Sequence, residues 1–438
     1  MKIPIKNPYL VIISSFLVFL VLGSLLLFMP FSQKQPTSFI DCLFIATSAF
    51  TVTGLATIDI TQQFNYIGYT IIMILVQCGG LGIITLAMIV FIMLGKKVGF
   101  KGRSLATEAL NQQNTGGIIR LVLILFFISF IFESIGAFLL ALEWVPLLGW
   151  KKGLFNSIFT AVSAFNNAGF ALHSDNLVRF QTNPIINFII TSLIIIGGIG
   201  FTVILDLYKT KQFKKLRVHT KVMIIGTFVV NFCATLIIFM LEYSNKATLG
   251  GHTTFDQLQM AYFQAITTRT AGFNTIDIGA LSTPTILIMM LLMFIGGGST
   301  STAGGIKLTT TVVILFGTLS FIKQRENLSL FKRTIDNRFL FKSLAVAVLS
   351  SGFIFTIVFL LVLAEPNLPF LALMFEVISA FGTVGLTMGI TAKLSVIGKI
   401  LIILMMMIGK VGVLTIVLTF SKPNKPLYSY PKEDILTG

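Results

Sequence analysis

Four short stretches of this chain run from an apolar segment to a single glycine: Ser48-Ala-Phe-Thr51-Val52-Thr53-Gly54-Leu55, Ser163-Ala-Phe-Asn-Asn167-Ala168-Gly169-Phe170, Ala265-Ile-Thr-Thr-Arg-Thr270-Ala271-Gly272-Phe273 and Ser379-Ala-Phe-Gly-Thr383-Val384-Gly385-Leu386. Their spacing is close to a quarter of the chain each time, so an internal repeat organises the sequence. Glycine adopts φ > 0 at no steric cost and lets a ligand approach the main chain. Backbone carbonyls turned to a common axis could therefore replace the water shell of a monovalent cation without a fixed charge at membrane depth. One such glycine alone is most often a helix C-cap. Four at matching places favour a ring of carbonyls.

The elements that would position such a ring are apolar. The 438 residues are 55% hydrophobic and 11% charged, with a mean hydropathy of +0.93, against roughly 25% charged in soluble domains. This is a polytopic membrane protein, expected in the plasma membrane. No cleavable signal is evident, because Lys2 and Lys6 precede an apolar run over 9–29 long enough to cross a ~30 Å hydrocarbon core. The net charge of +16 gathers in alternate connections: Lys96, Lys97, Lys101 and Arg103; Lys209, Lys211, Lys214, Lys215, Arg217 and Lys221; Lys323, Arg325, Lys332, Arg333, Arg338 and Lys342. With the terminal lysines, this pattern predicts cytoplasmic termini and loops and argues for a lipid rather than a nucleic-acid surround. Cys42, Cys78 and Cys233 are too dispersed for a disulfide framework or a metal site, and His173, His219 and His252 are equally scattered.

The pass along the chain gives four units, 1–100, 101–218, 219–330 and 331–438. Each has a span (9–29, 118–141, 221–243, 341–363), a helix too short to span (40–50, 154–165, 258–268, 370–381), a glycine stretch, and a returning span (67–93, 187–207, 284–321, 396–420). Trp144, Pro146 and Trp150 mark the far interface of the second unit. Irregular backbone at membrane depth survives only inside protein or lining water. The expected fold is thus an all-α membrane protein of eight spans, with the units in pseudo-fourfold arrangement around one pore. Gly79 to Gly82 and Gly197 to Gly200, in the returning spans, read as close-packing sites.

The third return differs: Gly296-Gly297-Gly298-Ser299-Thr300-Ser301-Thr302-Ala303-Gly304-Gly305-Ile306-Lys307 interrupts an apolar span and is a poor helix. A phosphate-binding loop is excluded, because Ile306 separates glycine from lysine, Leu308 follows, and no strand precedes. Lys410 is the other anomaly, since an intramembrane lysine costs about 2.5 to 3.5 kcal/mol unless it faces water or a partner. It reads as a pore-facing barrier to cations, or alternatively as a snorkelling residue or a partner of Glu376, Asp206 or Glu133. Arg269 is placed to brace the third glycine stretch. No convergent titratable groups suggest an enzyme. An inverted-repeat secondary transporter is the rival class, but it would show discontinuous helices in two halves rather than four similar units.

Thr51-Val52-Thr53-Gly54 resembles the first half of the TVGYG filter of potassium channels, with one glycine per repeat and no tyrosine. As a whole the chain resembles the Trk, Ktr and HKT potassium transporters, most of all the Ktr membrane subunit, since it begins directly on the first unit. The resemblance implies a selectivity filter lined by Thr51, Val52, Thr53 and Gly54; Asn167, Ala168 and Gly169; Thr270, Ala271 and Gly272; and Thr383, Val384 and Gly385. It implies that 296–307 is an intramembrane gating loop, with Lys410 where many members carry arginine. It also implies K⁺ as the substrate, with Na⁺ a second permeant or stimulating ion. The implied assembly is a membrane homodimer on a cytosolic ring of regulatory subunits binding ATP or ADP. The drive would be electrical, about 2.3 kcal/mol per charge per 100 mV.

Overall fold

Four helices of modest length lead into the glycine stretches: Phe39–Thr51, Trp150–Phe165, Thr254–Thr267 and Phe370–Gly382. The first and third start on reciprocal caps. Ser38 Oγ accepts from the Asp41 N–H at 3.2 Å and donates to the Asp41 carboxylate at 2.6 Å, and Thr253 with Asp256 repeats the exchange. These contacts belong to a computed structural model that describes residues 8–82, 85, 117–299, 301–325, 327–420, 431 and 433. The lysines of the first basic connection and of both termini lie outside the described residues.

Long helices precede three of the short ones, Ile118–Leu148, Val218–Glu242 and Asn337–Ala364, and are apolar enough to cross a membrane. Pro8–Phe28 precedes the other. Their outer faces expose Phe130 at 63%, Phe228 at 71% and Phe355 at 74%. Water would not tolerate so much aromatic surface, whereas lipid does. The second unit departs from expectation. Its long helix continues through Pro146 to Leu148, and Trp144 is fully buried against His173 and Phe180. The chain doubles back at Gly149, and Gly153, lacking a side chain, lets the next helix lie directly on the Trp144 carbonyl.

The returning segments are helices broken at glycines within the expected spans. Tyr66–Leu81, Pro184–Ile199 and Val396–Val411 each stop at a glycine, Gly82, Gly200 and Gly412, with φ of 83°, 103° and 89°. After Gly200 the helix Phe201–Lys209 leaves at 89°. After Gly412 the chain resumes as Val413–Phe420. These φ values are open to glycine and strained for other residues, so Gly82 and Gly200 are helix breaks. In the third unit Thr283–Phe294 and Leu308–Ile322 flank the Gly-Ser-Thr loop. A hairpin, Leu328–Leu330 against Arg333–Ile335, occupies the third basic connection and was not foreseen.

Close packing does describe Gly79, Gly197 and Gly409. A Cβ on any of them would run into the carbonyl oxygen of Phe50, Phe165 or Phe381, in the last turn of a short helix. An ion pair closes the arrangement: Lys399, on the last return, meets Asp41 at the start of the first short helix at 2.7 Å. The third unit is pinned by Glu242, which is fully buried. Its carboxylate accepts from the Ser282 N–H at 2.9 Å and from the hydroxyls of Ser282, Thr285 and Thr248 at 2.6, 2.6 and 2.7 Å. Glu242→Leu strands these donors. It is expected to cost at least about 3 kcal/mol of stability, seen as a lower thermal midpoint in detergent; an unchanged midpoint contradicts the assignment.

Candidate ion pathway

The four glycine stretches share one backbone pattern. Two residues before each glycine, a side-chain-bearing residue adopts positive φ: Val52 at 60°, Asn167 at 60°, Thr270 at 66° and Thr383 at 48°. The glycines themselves lie at 95°, 69°, 76° and 93°. A β-branched residue in this region is a genuine outlier, costing on the order of 1–3 kcal/mol, and such strain concentrates at functional sites. The helix ends hold it in place. The N–H of Thr53, Ala168 and Val384 donates to the carbonyl of Ser48, Ser163 and Ser379 at 2.8, 2.7 and 2.8 Å, and that of Ala271 to Thr267 at 3.1 Å.

These four strands meet. A Cβ at Gly54 would strike the carbonyl oxygen of Ala168, one at Gly169 that of Ala271, one at Gly272 that of Val384, and one at Gly385 that of Thr53, all closer than 3.0 Å. The contacts run from each strand to the next and return to the first, so the glycines form a closed ring. Val52, Thr53, Asn167, Ala168, Thr270, Ala271, Thr383 and Val384 are all buried to within 1%. The atoms that meet the glycines are main-chain oxygens. Thr51 supports the ring from one step back, its hydroxyl meeting those of Thr53 at 2.7 Å and the Thr47 carbonyl at 2.8 Å.

The loop after Phe294 is tied at its neck and laid against the ring. The Gly296 N–H donates to Ile306 at 2.8 Å and the Leu308 N–H to Gly297 at 3.0 Å. Gly298 donates to Gly198 at 2.8 Å and Thr302 to Gly197 at 3.4 Å. Gly304 abuts the Thr383 side chain, and Gly305, with φ of 64°, abuts Gly382. Ser301 turns back to the Gly298 carbonyl at 2.7 Å, and Ser299 lies 3.4 Å from the Thr309 hydroxyl. Thr300 lies outside the described residues.

Two lysines hold neighbouring carbonyls of this loop. Lys307 Nζ donates to Ala303 at 2.6 Å, and Lys410 Nζ to Thr302 at 2.7 Å. Lys410 thus bonds to a carbonyl. The carboxylates weighed as its partners are engaged elsewhere: Glu376 by Thr387 and Thr391, Asp206 by Thr220, and Glu133 by Asn166. Arg269 reaches the Gly296 carbonyl and Asn231 Oδ1, both at 3.4 Å. It braces the loop's origin rather than the neighbouring glycine.

Several contributors were not singled out from sequence. Ser48 and Ser379 hydroxyls accept from the Gly54 and Gly385 N–H at 3.0 and 3.1 Å. The recurrence of serine six residues before the glycine in three repeats was the available signal. Gln77 and Lys399 had none, since each acts across units that sequence does not juxtapose, and Asn231 had none because its partner lies 38 positions away.

A helical bundle converging on a carbonyl ring defines a class of protein, the ion-conducting membrane proteins, and comparison with known proteins gives the family. The description of the TrkH cation transport proteins matches residues 1–429, and the chain belongs to that family. It is 48% identical over 432 residues to the Ktr system potassium uptake protein B of Bacillus subtilis, covering 99% of this chain and 97% of that one. It is 37% identical to the potassium/sodium uptake protein NtpJ of Enterococcus hirae, covering 99% and 97%. The crystal structure of the potassium transporter TrkH from Vibrio parahaemolyticus superposes with a TM-score of 0.77 at 19% identity, over 96% of this chain and 86% of that one, which attests the fold.

Proposed function

We propose that this protein carries K⁺ into the cell through the glycine ring, passively and in the manner of a channel. The observation that carries the reading is the closed succession of contacts from Gly54 through Gly169, Gly272 and Gly385, with the carbonyl before each glycine facing the glycine of the preceding strand. In this reading the four units, 1–100, 101–218, 219–330 and 331–438, surround one pore with eight spans and both termini in the cytoplasm. The carbonyls of Thr53, Ala168, Ala271 and Val384 replace hydration water as K⁺ passes. With one glycine per strand the filter is short, so discrimination against Na⁺ is modest and Na⁺ is a second permeant or stimulating ion. The relative named for potassium and sodium uptake supports that.

The 296–307 loop is the gate, with Lys307 and Lys410 holding it closed and adding positive charge to the path. A homodimer seated on a cytosolic ring of ATP- or ADP-binding subunits would move it, in keeping with the Ktr system relatives. The test is growth of cells lacking K⁺ uptake, with the regulatory partner supplied. Growth at low K⁺ is expected, and Gly54→Ser should lower the K⁺ over Na⁺ preference. No K⁺-dependent growth, or an unaltered preference, rejects the filter.

A further inference from the structure

The four strands are not braced alike. In the first and fourth, the serine hydroxyl of the strand's own short helix, Ser48 or Ser379, accepts from the glycine N–H. In the second, Ser163 occupies the same place, yet its buried hydroxyl finds no partner. A different device stands there. Asn166, directly before the strained Asn167, donates from Nδ2 to Glu133 Oε1 at 3.1 Å and to Gln77 Oε1 at 2.8 Å. The three come from three elements: Glu133 from the long helix of its own unit, Asn166 from the strand, and Gln77 from the return of the first unit. Glu133 is 8% exposed, and among the described residues no cation pairs with it.

A carboxylate held this deep without a cation is costly unless it is hydrogen-bonded, and here a strand of the ring supplies the donor. The corresponding place in the first strand is Thr51, bonded to its own helix, and in the fourth Gly382, which has no side chain. In the third it is Arg269, which reaches Asn231 on its own unit's long helix. The second strand is thus tied to another unit, the first and fourth to their own short helices.

We propose that Glu133 is a specificity-determining positioning residue: through Asn166 and Gln77 it fixes the second strand against the first unit, so K⁺ over Na⁺ preference depends on a carboxylate the ion never meets. This rests on the filter reading. Coordination by carbonyls is geometric, and a strand free to drift tolerates the smaller ion. Glu133→Gln keeps an acceptor for Asn166; Glu133→Leu removes it.

The purified full-length protein in liposomes, with K⁺ and Na⁺ fluxes measured separately, tests this. Glu133→Leu should lower the K⁺ over Na⁺ preference about tenfold, the effect of leaving one buried donor unsatisfied, while Glu133→Gln stays within about twofold of the parent. Should Glu133→Leu not be monodisperse, Gln77→Leu severs the same bracket and is judged by the same ratio. A merely structural role predicts lower flux at constant ratio, with Gln and Leu alike, and that result overturns the proposal. Gly54→Ser runs in parallel. If it shifts the ratio and Glu133→Leu does not, the brace is wrong and the filter stands; if neither shifts it, both fall.

Discussion

Gly385→Ala is expected to abolish K⁺ uptake while Gly389→Ala leaves it nearly intact. Both glycines have positive φ, 93° and 80°, so both substitutions carry a backbone penalty of about 1–2 kcal/mol. Only Gly385 carries a second one. Its new Cβ would press on the carbonyl oxygen of Thr53 and approach the Gly54 Cα, whereas nothing lies within 4 Å of a Cβ at Gly389. The Thr53 carbonyl cannot easily retreat, because the Thr53 N–H is bound to Ser48 and the Thr53 hydroxyl to Thr51. The fourth strand cannot retreat either, being bonded to Ser379 through two successive N–H groups. Closing the ring by one methyl removes an oxygen from the path and narrows it at once. Growth at limiting K⁺ and Rb⁺ flux into liposomes measure the outcome. Equal flux through both variants would show that the ring is not the narrow point.

That pair also marks how far sequence reading reaches. Gly385 announces itself, because its stretch recurs three more times and recurrence is a one-dimensional signal. The short helices were legible for the same reason, and their observed limits, such as Phe39–Thr51 and Phe370–Gly382, depart little from expectation. Where the first, second and fourth returning segments turn was not legible, because hydropathy averages over a glycine. Gly82, Gly200 and Gly412 break helices by backbone angle, which leaves no trace in an apolar window. The burial of Trp144 was not legible, because only the fold shows the next helix doubling back over it. Lys410 was recognised as anomalous, but its partner is a carbonyl 108 positions away in sequence. A backbone acceptor has no residue type to search for.

Lys410→Met should raise K⁺ flux in the absence of any regulatory partner, and by more than Lys307→Met. Both lysines donate to the loop, to Thr302 and Ala303 at 2.7 and 2.6 Å, but they do different work. Lys307 belongs to the loop's own far end, so its bond shapes the loop without tying it to anything else. Lys410 sits on the last return, and its bond joins the loop to another unit. A hydrogen bond from a charged donor contributes about 1.5–3 kcal/mol, so its loss multiplies the open population by roughly tenfold to a hundredfold where that population is small. Removing the ammonium also lifts a repulsive charge from beside the path, which acts in the same direction for a cation. Lys410→Arg separates the two contributions: it keeps the charge, while its longer, planar donor group does not reproduce a point contact at one carbonyl. High flux in Lys410→Arg means the tether dominates, and flux raised only in Lys410→Met means the charge does. Deleting residues 299–303, which removes the tether's acceptor with the loop's tip, should match or exceed the larger effect. If both the deletion and Lys410→Met conduct like the parent, the loop does not obstruct the path.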